Sequence, residues 1–381
     1  MRMNMWTKVL PLVMAGAAAM GAATTANAPT TLKDAYKGDF VVGAAMDAGQ
    51  IAGTDQRGDA IIQAQFNSIS PENVLKWVVV HPQAGKYDFD LSDKYVAFGM
   101  EHHMFIHAHT LIWHNQVPAW VFRDDKGNSL SRDALLARMR EHIQTVVGRY
   151  KGKIQSWDVV NEALNEDGSI RQSPWEKMIG EDYIEKAFEY AHQADPQAEL
   201  YYNDYNLENE AKRKGAIALI KKLKDEGVPV NGVGLQGHYN LTWPSTQQVD
   251  DTIEAFAALG MKVAITELDI DVLPAGGKQP TADVTVHIKE NPALNPYVNG
   301  LPDAVQQELA KRYGDLFGVF LKDRDAVERV TFWGVTDADS WKNDFPVTGR
   351  TNYPLLFDRS GQPKPAFEAV LKAATGPAPG K

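Results

Sequence analysis

From about residue 40 to residue 370, short apolar or β-branched runs alternate with stretches of helical periodicity. Eight runs read as strands: 41–45, 66–70, 104–108, 155–160, 200–203, 233–236, 262–266 and 329–335. The stretches between them have legible helix ends. Ser131 can cap a helix whose apolar positions, Leu135, Met139, Ile143, Val146, Val147 and Tyr150, recur near the 3.6-residue period. Ser245 with Gln248 makes a capping box, Val249, Ile253 and Phe256 form the stripe to be buried, and Gly260 ends the helix. Residues 212–226 close at Gly227 in the same way, with Ile217, Leu219 and Leu223 on the apolar face. Strand–helix alternation predicts parallel strands, and eight such units predict an α/β fold of the closed (β/α)8 or TIM-barrel kind. An open doubly wound sheet would need a glycine-rich first turn, and no glycines here have that spacing.

The barrel pattern predicts one catalytic domain over residues 29–374, with a long Pro-, Gly- and Asn-rich loop at 274–300 and a flexible tail at 375–381. The first 28 residues read as a secretory signal. Arg2 and Lys8 precede an apolar run too short to span a bilayer, and small residues follow to Ala28. The expected product is a soluble monomer, secreted to the periplasm or the exterior. Its net charge of −10 argues against nucleic acid or an anionic membrane as partner and leaves a neutral polymer open. With no cysteine, disulfides and thiolate chemistry are excluded, and any metal would need His and carboxylate ligands.

Barrel chemistry sits at the C-terminal ends of the strands. Collected there are Glu72, Asn73 and Lys76, then His107, His109, Trp113, His114 and Gln116, then Asp158, Asn161 and Glu162. Later strands supply Asn203, Asp204 and Tyr205, then Gln236 and His238, then Glu267, Asp269 and Asp271, and finally Trp333 and Asp337. Glu162 and Glu267 each follow apolar strand residues directly, on the fourth and seventh strands, so they face each other across one mouth. Glycoside hydrolysis needs such a pair, one to protonate the leaving oxygen and the other to attack or to activate water. Glu267 and Asp269 share a strand face, where His238 can bridge them and keep Glu267 ionised. Indole faces complement pyranose C–H faces, which makes Trp77, Trp113, Trp120, Trp333 and Trp341 candidate sugar platforms. Two other functions compete: a metal-dependent barrel hydrolase built on His107 and His109, and a carbohydrate-binding barrel without activity.

The stretches ENVLKW (72–77), HTLIWHNQVPAW (109–120), WDVVNEA (157–163), YYNDYN (201–206), GVGLQGH (232–238), ITELD (265–269) and TFWGVTDADSW (331–341) resemble glycoside hydrolase family 10, the endo-β-1,4-xylanases. The resemblance implies hydrolysis of xylan and xylo-oligosaccharides with net retention, without cofactor or metal. It implies Glu162 as acid/base and Glu267 as nucleophile, with His238 and Asp269 orienting the latter. Glu72, Asn73, Lys76, His109, Trp113, Gln116, Asn161, Gln236, His238, Trp333 and Trp341 match positions that grip sugars on the non-reducing side of the cut, and Tyr205 one on the leaving-group side. Ala108 and Leu75 stand where the family usually has glycine and methionine.

Overall fold

The computed structural model describes residues 30–276 and 282–376. The predicted signal segment lies outside them, and of the tail only Thr375 and Gly376 are described, Thr375 ending the last helix, Pro365–Thr375.

The eight predicted strands are present, and a ninth joins them. They are β1 Val41–Met46, β2 Ser68–Pro71, β3 Phe105–Ala108, β4 Ser156–Asn161, β5 Glu199–Asp204, β6 Gly232–Leu235, β7 His238–Asn240, β8 Lys262–Asp271 and β9 Val327–Phe332. Parallel pairing runs from β1 through β6, passes to β8 and β9, and closes from β9 back onto β1. The result is a closed barrel of eight strands. The short β7 arises because Gly237, at φ 82°, turns the chain after β6 and lets it pair with the far end of β8 (His238 opposite Asp269). With β7 pairing to its far end, β8 runs five residues beyond the expected end at 266, and its register with β9 shifts between Ile265 and Leu268, the stretch that carries Glu267.

Helices cover the barrel with the predicted caps. Ser131 accepts from Ala134 N at the start of Arg132–Arg149, and Ser245 and Gln248 form the reciprocal box at the start of Thr246–Ala257. In Glu210–Asp225 the buried stripe is Ala216, Leu219, Ile220 and Leu223, an i, i+3, i+4, i+7 set. Ile217, expected there, falls one position off that face and is half-buried. Among the described residues no helix is long and apolar enough to cross a membrane.

The barrel interior is polar on its axis. His107 on β3 meets the ring of Tyr201 on β5 at 6.3 Å, and these strands are not neighbours, so the contact passes through the barrel. Arg329, Ser68, Ser156 and Asp158 are buried with them. This layer forms the floor on which the strand-end residues stand.

Candidate active site

Glu162 and Glu267 line one cleft at the strand ends, together with Glu72, Asn73, Lys76, His109, Trp113, Gln116, Asn161, Gln236, His238, Trp333 and Trp341. Both glutamates are almost fully buried. A row of amides joins them. Gln236 Nε2 donates to Glu162 Oε1 (3.1 Å) and to Asn161 Oδ1 (3.2 Å). Asn203 Nδ2 donates to the same Asn161 oxygen (2.9 Å) and to Glu267 Oε1 (2.8 Å). Each amide nitrogen has two hydrogens and uses both, so neither side chain can rotate without orphaning a buried group. Thr266 fixes the orientation of Asn203 by donating to its Oδ1 at 2.7 Å. Gly234 makes room for this, because a Cβ there would lie 2.2 Å from that oxygen.

The two carboxyls have opposite electrostatics. Burial pushes Glu162 up to about 7, with the charge of Asp204 adding to it and hydrogen bonds from Gln236 and Trp113 opposing it. Trp113 Nε1 donates to Glu162 Oε2 at 2.8 Å. Burial would raise Glu267 too, but the His238 hydrogen bond (Nε2 to Oε2, 3.2 Å) and the nearby charges of His109 and His238 outweigh it and hold Glu267 below the usual carboxylate range. The His238 imidazole is itself held above its ordinary value: burial works against it, but Asp269, 3.1 Å from Nδ1, and Glu267 prevail. A pair of carboxyls driven apart in this way can divide acid and nucleophile roles between them.

Backbone strain supports the placement. Glu162 has φ 57° and Gln116 φ 50°, left-handed values that cost non-glycine residues about 1 kcal/mol or more. At Glu162 the conformation is held by its N–H donating to Asn203 O (2.9 Å) and its carbonyl accepting from Arg171 Nε (3.1 Å).

Trp333 and Trp341 form one wall. Trp341 Nε1 donates to Asp269 Oδ2 at 2.7 Å, and its ring stacks on Phe345. Lys76 is buried, donates to Asn73 Oδ1 at 3.0 Å and lies over the Trp113 ring. Tyr205 is outside this lining. Its hydroxyl accepts from Arg171 at 3.0 Å, and Lys212 sits over its ring. Two proposed platforms need correction. Trp77 is buried against His142, with ring centroids 3.7 Å apart, because as first residue of the helix Trp77–Val80 it turns into the helical layer. Trp120 donates to Pro82 O, packs under Arg138 and does not line this cleft. Asp337 is likewise structural, buried beside Lys364 at 2.9 Å.

His107 on β3 and His109 just after it both have polar partners. His107 Nδ1 is 2.7 Å from Ser156 Oγ, and His109 Nδ1 is 2.9 Å from Asp158 Oδ2. Donor atoms of His109, Asp158 and Glu267 do come within 4.8 Å of one another. In the structure His109 Nδ1 and Asp158 Oδ2 are hydrogen-bonded to each other, and Glu267 Oε1 accepts from Asn203 Nδ2. Asp158 and Asn203 were collected among the strand-end polar residues without a role, which their hydrogen bonds to His109 and Glu267 now supply, and Arg171 was not collected at all.

A closed barrel with two buried carboxyls of opposed acidity across one aromatic-walled cleft defines the class of two-carboxylate glycoside hydrolases. The family profile for glycosyl hydrolase family 10 matches residues 31–373. Endo-1,4-beta-xylanase A of Xylanibacter ruminicola is 44% identical over 92% of this chain and 95% of its own. Beta-1,4-xylanase of Dictyoglomus thermophilum is 43% identical over 90% of each. A GH10 endoxylanase retrieved from a sugarcane soil metagenome has a solved structure that superposes with a TM-score of 0.87, at 48% identity, covering 90% of this chain and 99% of that one. The chain belongs to glycosyl hydrolase family 10. Neither the metal-dependent nor the inactive alternative has support among these relatives.

Proposed function

We propose that Glu162 is the acid/base and Glu267 the nucleophile of a retaining endo-β-1,4-xylanase, with His238 and Asp269 keeping Glu267 ionised. The reaction is endo-hydrolysis of β-1,4-xylosidic bonds with net retention, and the substrate is xylan or xylo-oligosaccharide. Glu267 attacks the anomeric carbon as the bond to the leaving oxygen breaks and that oxygen takes the Glu162 proton. Water then adds at the same carbon, giving its proton to the Glu162 carboxylate and releasing Glu267. The observation that carries this assignment is the opposed acidity of the two carboxyls across one row of amides. Proton NMR of xylopentaose digestion tests it, with the β-anomer of internally cut products expected first. Initial α-product would overturn the pairing. Export is the companion proposal, resting on the N-terminal sequence pattern.

The acidities also set a pH profile. Glu162 must be protonated to act, so kcat/KM should fall as pH rises through about 7. Glu267 must be ionised, so the acid limb should lie below the usual carboxylate range. Trp113→Phe removes a hydrogen bond that favours the Glu162 carboxylate, so the alkaline limb should move to higher pH. An alkaline limb that stays put in this variant would detach it from Glu162.

A further inference from the structure

Asp269 is fully buried beside the nucleophile, and its two oxygens have different surroundings. Oδ2 accepts from Trp341 Nε1 at 2.7 Å and lies 3.1 Å from His238 Nδ1. Oδ1 has no hydrogen-bond partner among the described residues. Leaving a buried carboxylate oxygen without a hydrogen bond is costly, and such a carboxyl takes up a proton unless a nearby charge compensates. That charge is Lys342, whose Nζ lies 3.8 Å from Oδ1.

Lys342 stands one residue past the stretch TFWGVTDADSW, in the short 3-10 turn Trp341–Asn343, and is itself almost fully buried. Its Nζ lies over the Trp341 ring, 4.6 Å from the centroid, with the Phe345 ring 5.7 Å away. Among the described residues Asp269 is the only acid within 4 Å of it. The other charges on the surrounding elements are already paired. Asp271 faces Arg350 at 3.5 Å and accepts from Asn352 at 2.9 Å, and Asp337 is bound to Lys364 at 2.9 Å. From the helix Asp303–Lys322, the Tyr313 hydroxyl donates to Pro354 O at 2.6 Å. On the far side of Glu267 stand His109, 3.9 Å from Oε1 with Asp158 behind it, and Lys76, within reach of the Glu267 and Glu162 charges.

Lys342, Asp269, His238 and Glu267 thus form a line of alternating charge, its last link running from His238 Nε2 to Glu267 Oε2 at 3.2 Å. Burial would raise the Asp269 carboxyl, but the charges of His238 and then Lys342 hold it below the usual range. With Lys342 the line is neutral overall. Without it the line is net negative and binds a proton more readily. Either place for that proton harms the reaction: on Glu267 it removes the nucleophile, and on Asp269 it withdraws the support of the His238 imidazolium. We propose that Lys342 is a positioning residue for the reaction, holding Asp269 as a carboxylate so that His238 and Glu267 stay ionised at acid pH. It acts through Asp269 and not on the substrate. The inference rests on the xylanase reading above and deepens it.

The test is kcat/KM on xylotetraose against pH, for wild type, Lys342→Met, Lys342→Gln and Lys342→Arg, with initial rates taken on dilution from a neutral stock. Met keeps an unbranched stem against Trp341 and Phe345 while removing the charge, and Gln removes the charge but keeps a polar end. In both neutral variants the acid limb should move up by about one pH unit, roughly a tenfold loss at a fixed pH on that limb. The alkaline limb at about 7, set by Glu162, should stay where it is. Lys342→Arg should keep the acid limb of wild type. A merely structural prop for Trp341 would instead raise KM or lower the rate at every pH and leave both limbs in place. That outcome, or an acid limb shifted as far in Lys342→Arg as in Lys342→Met, overturns the inference and leaves the xylanase reading standing. Wild-type inactivity on xylotetraose overturns the xylanase reading itself.

Discussion

Glu267→Ala is expected to abolish turnover of every glycoside, whatever its leaving group, with kcat down on the order of 10⁵-fold, or ~7 kcal/mol of barrier. No covalent intermediate can form without this carboxylate, and no neighbour can replace it. His238 Nε2 and Asn203 Nδ2, the atoms that contact it, face it as donors to a carboxylate, and Asp269 is turned toward His238 and Trp341. The fold should survive, because the loss opens a small polar space at the cleft instead of removing core packing. Circular dichroism and thermal unfolding should stay close to wild type while steady-state rates on xylan and on aryl xylobiosides both collapse. Measurable turnover of an activated aryl xylobioside by this variant would remove Glu267 from the nucleophile role.

Much of this arrangement is legible in the sequence because the barrel imposes it. An apolar run ending in a carboxylate, as in 263–267, places that carboxylate at the mouth, and strand order then decides which walls face each other. The capped helices were readable for the same local reason. Less accessible were features created by contact between distant strands. β7 exists because Gly237 turns the chain against an extended β8, which no local propensity announces. Asn203 matters through Asn161, Glu267 and Thr266, partners 42 to 64 residues away in the chain. Trp77 and Trp120 were misplaced because a tryptophan after a strand end is as suited to the helical layer as to a sugar, and only the direction of its side chain decides.

Glu162→Ala should separate substrates by their leaving groups. Xylan and xylo-oligosaccharides leave as alkoxides unless protonated, so kcat/KM on them should drop by about 10³–10⁴, the value of a well-placed general acid. A dinitrophenyl xylobioside needs no proton, so formation of the covalent intermediate should proceed at nearly the wild-type rate. Hydrolysis of that intermediate lacks its base, and it should accumulate, lowering kcat and KM together. The missing side chain leaves a space beside Trp113 Nε1 and Gln236 Nε2, both donors that formerly held a carboxylate. Azide is small, anionic and needs no base, so it should occupy that space and restore turnover with β-configured xylobiosyl azide as product. The configuration matters, because attack from the face vacated by Glu162 on an intermediate held by Glu267 produces only that anomer. If xylan and the activated aryl substrate lose rate equally, or if azide gives the α-product, the two glutamates do not divide the work as assigned.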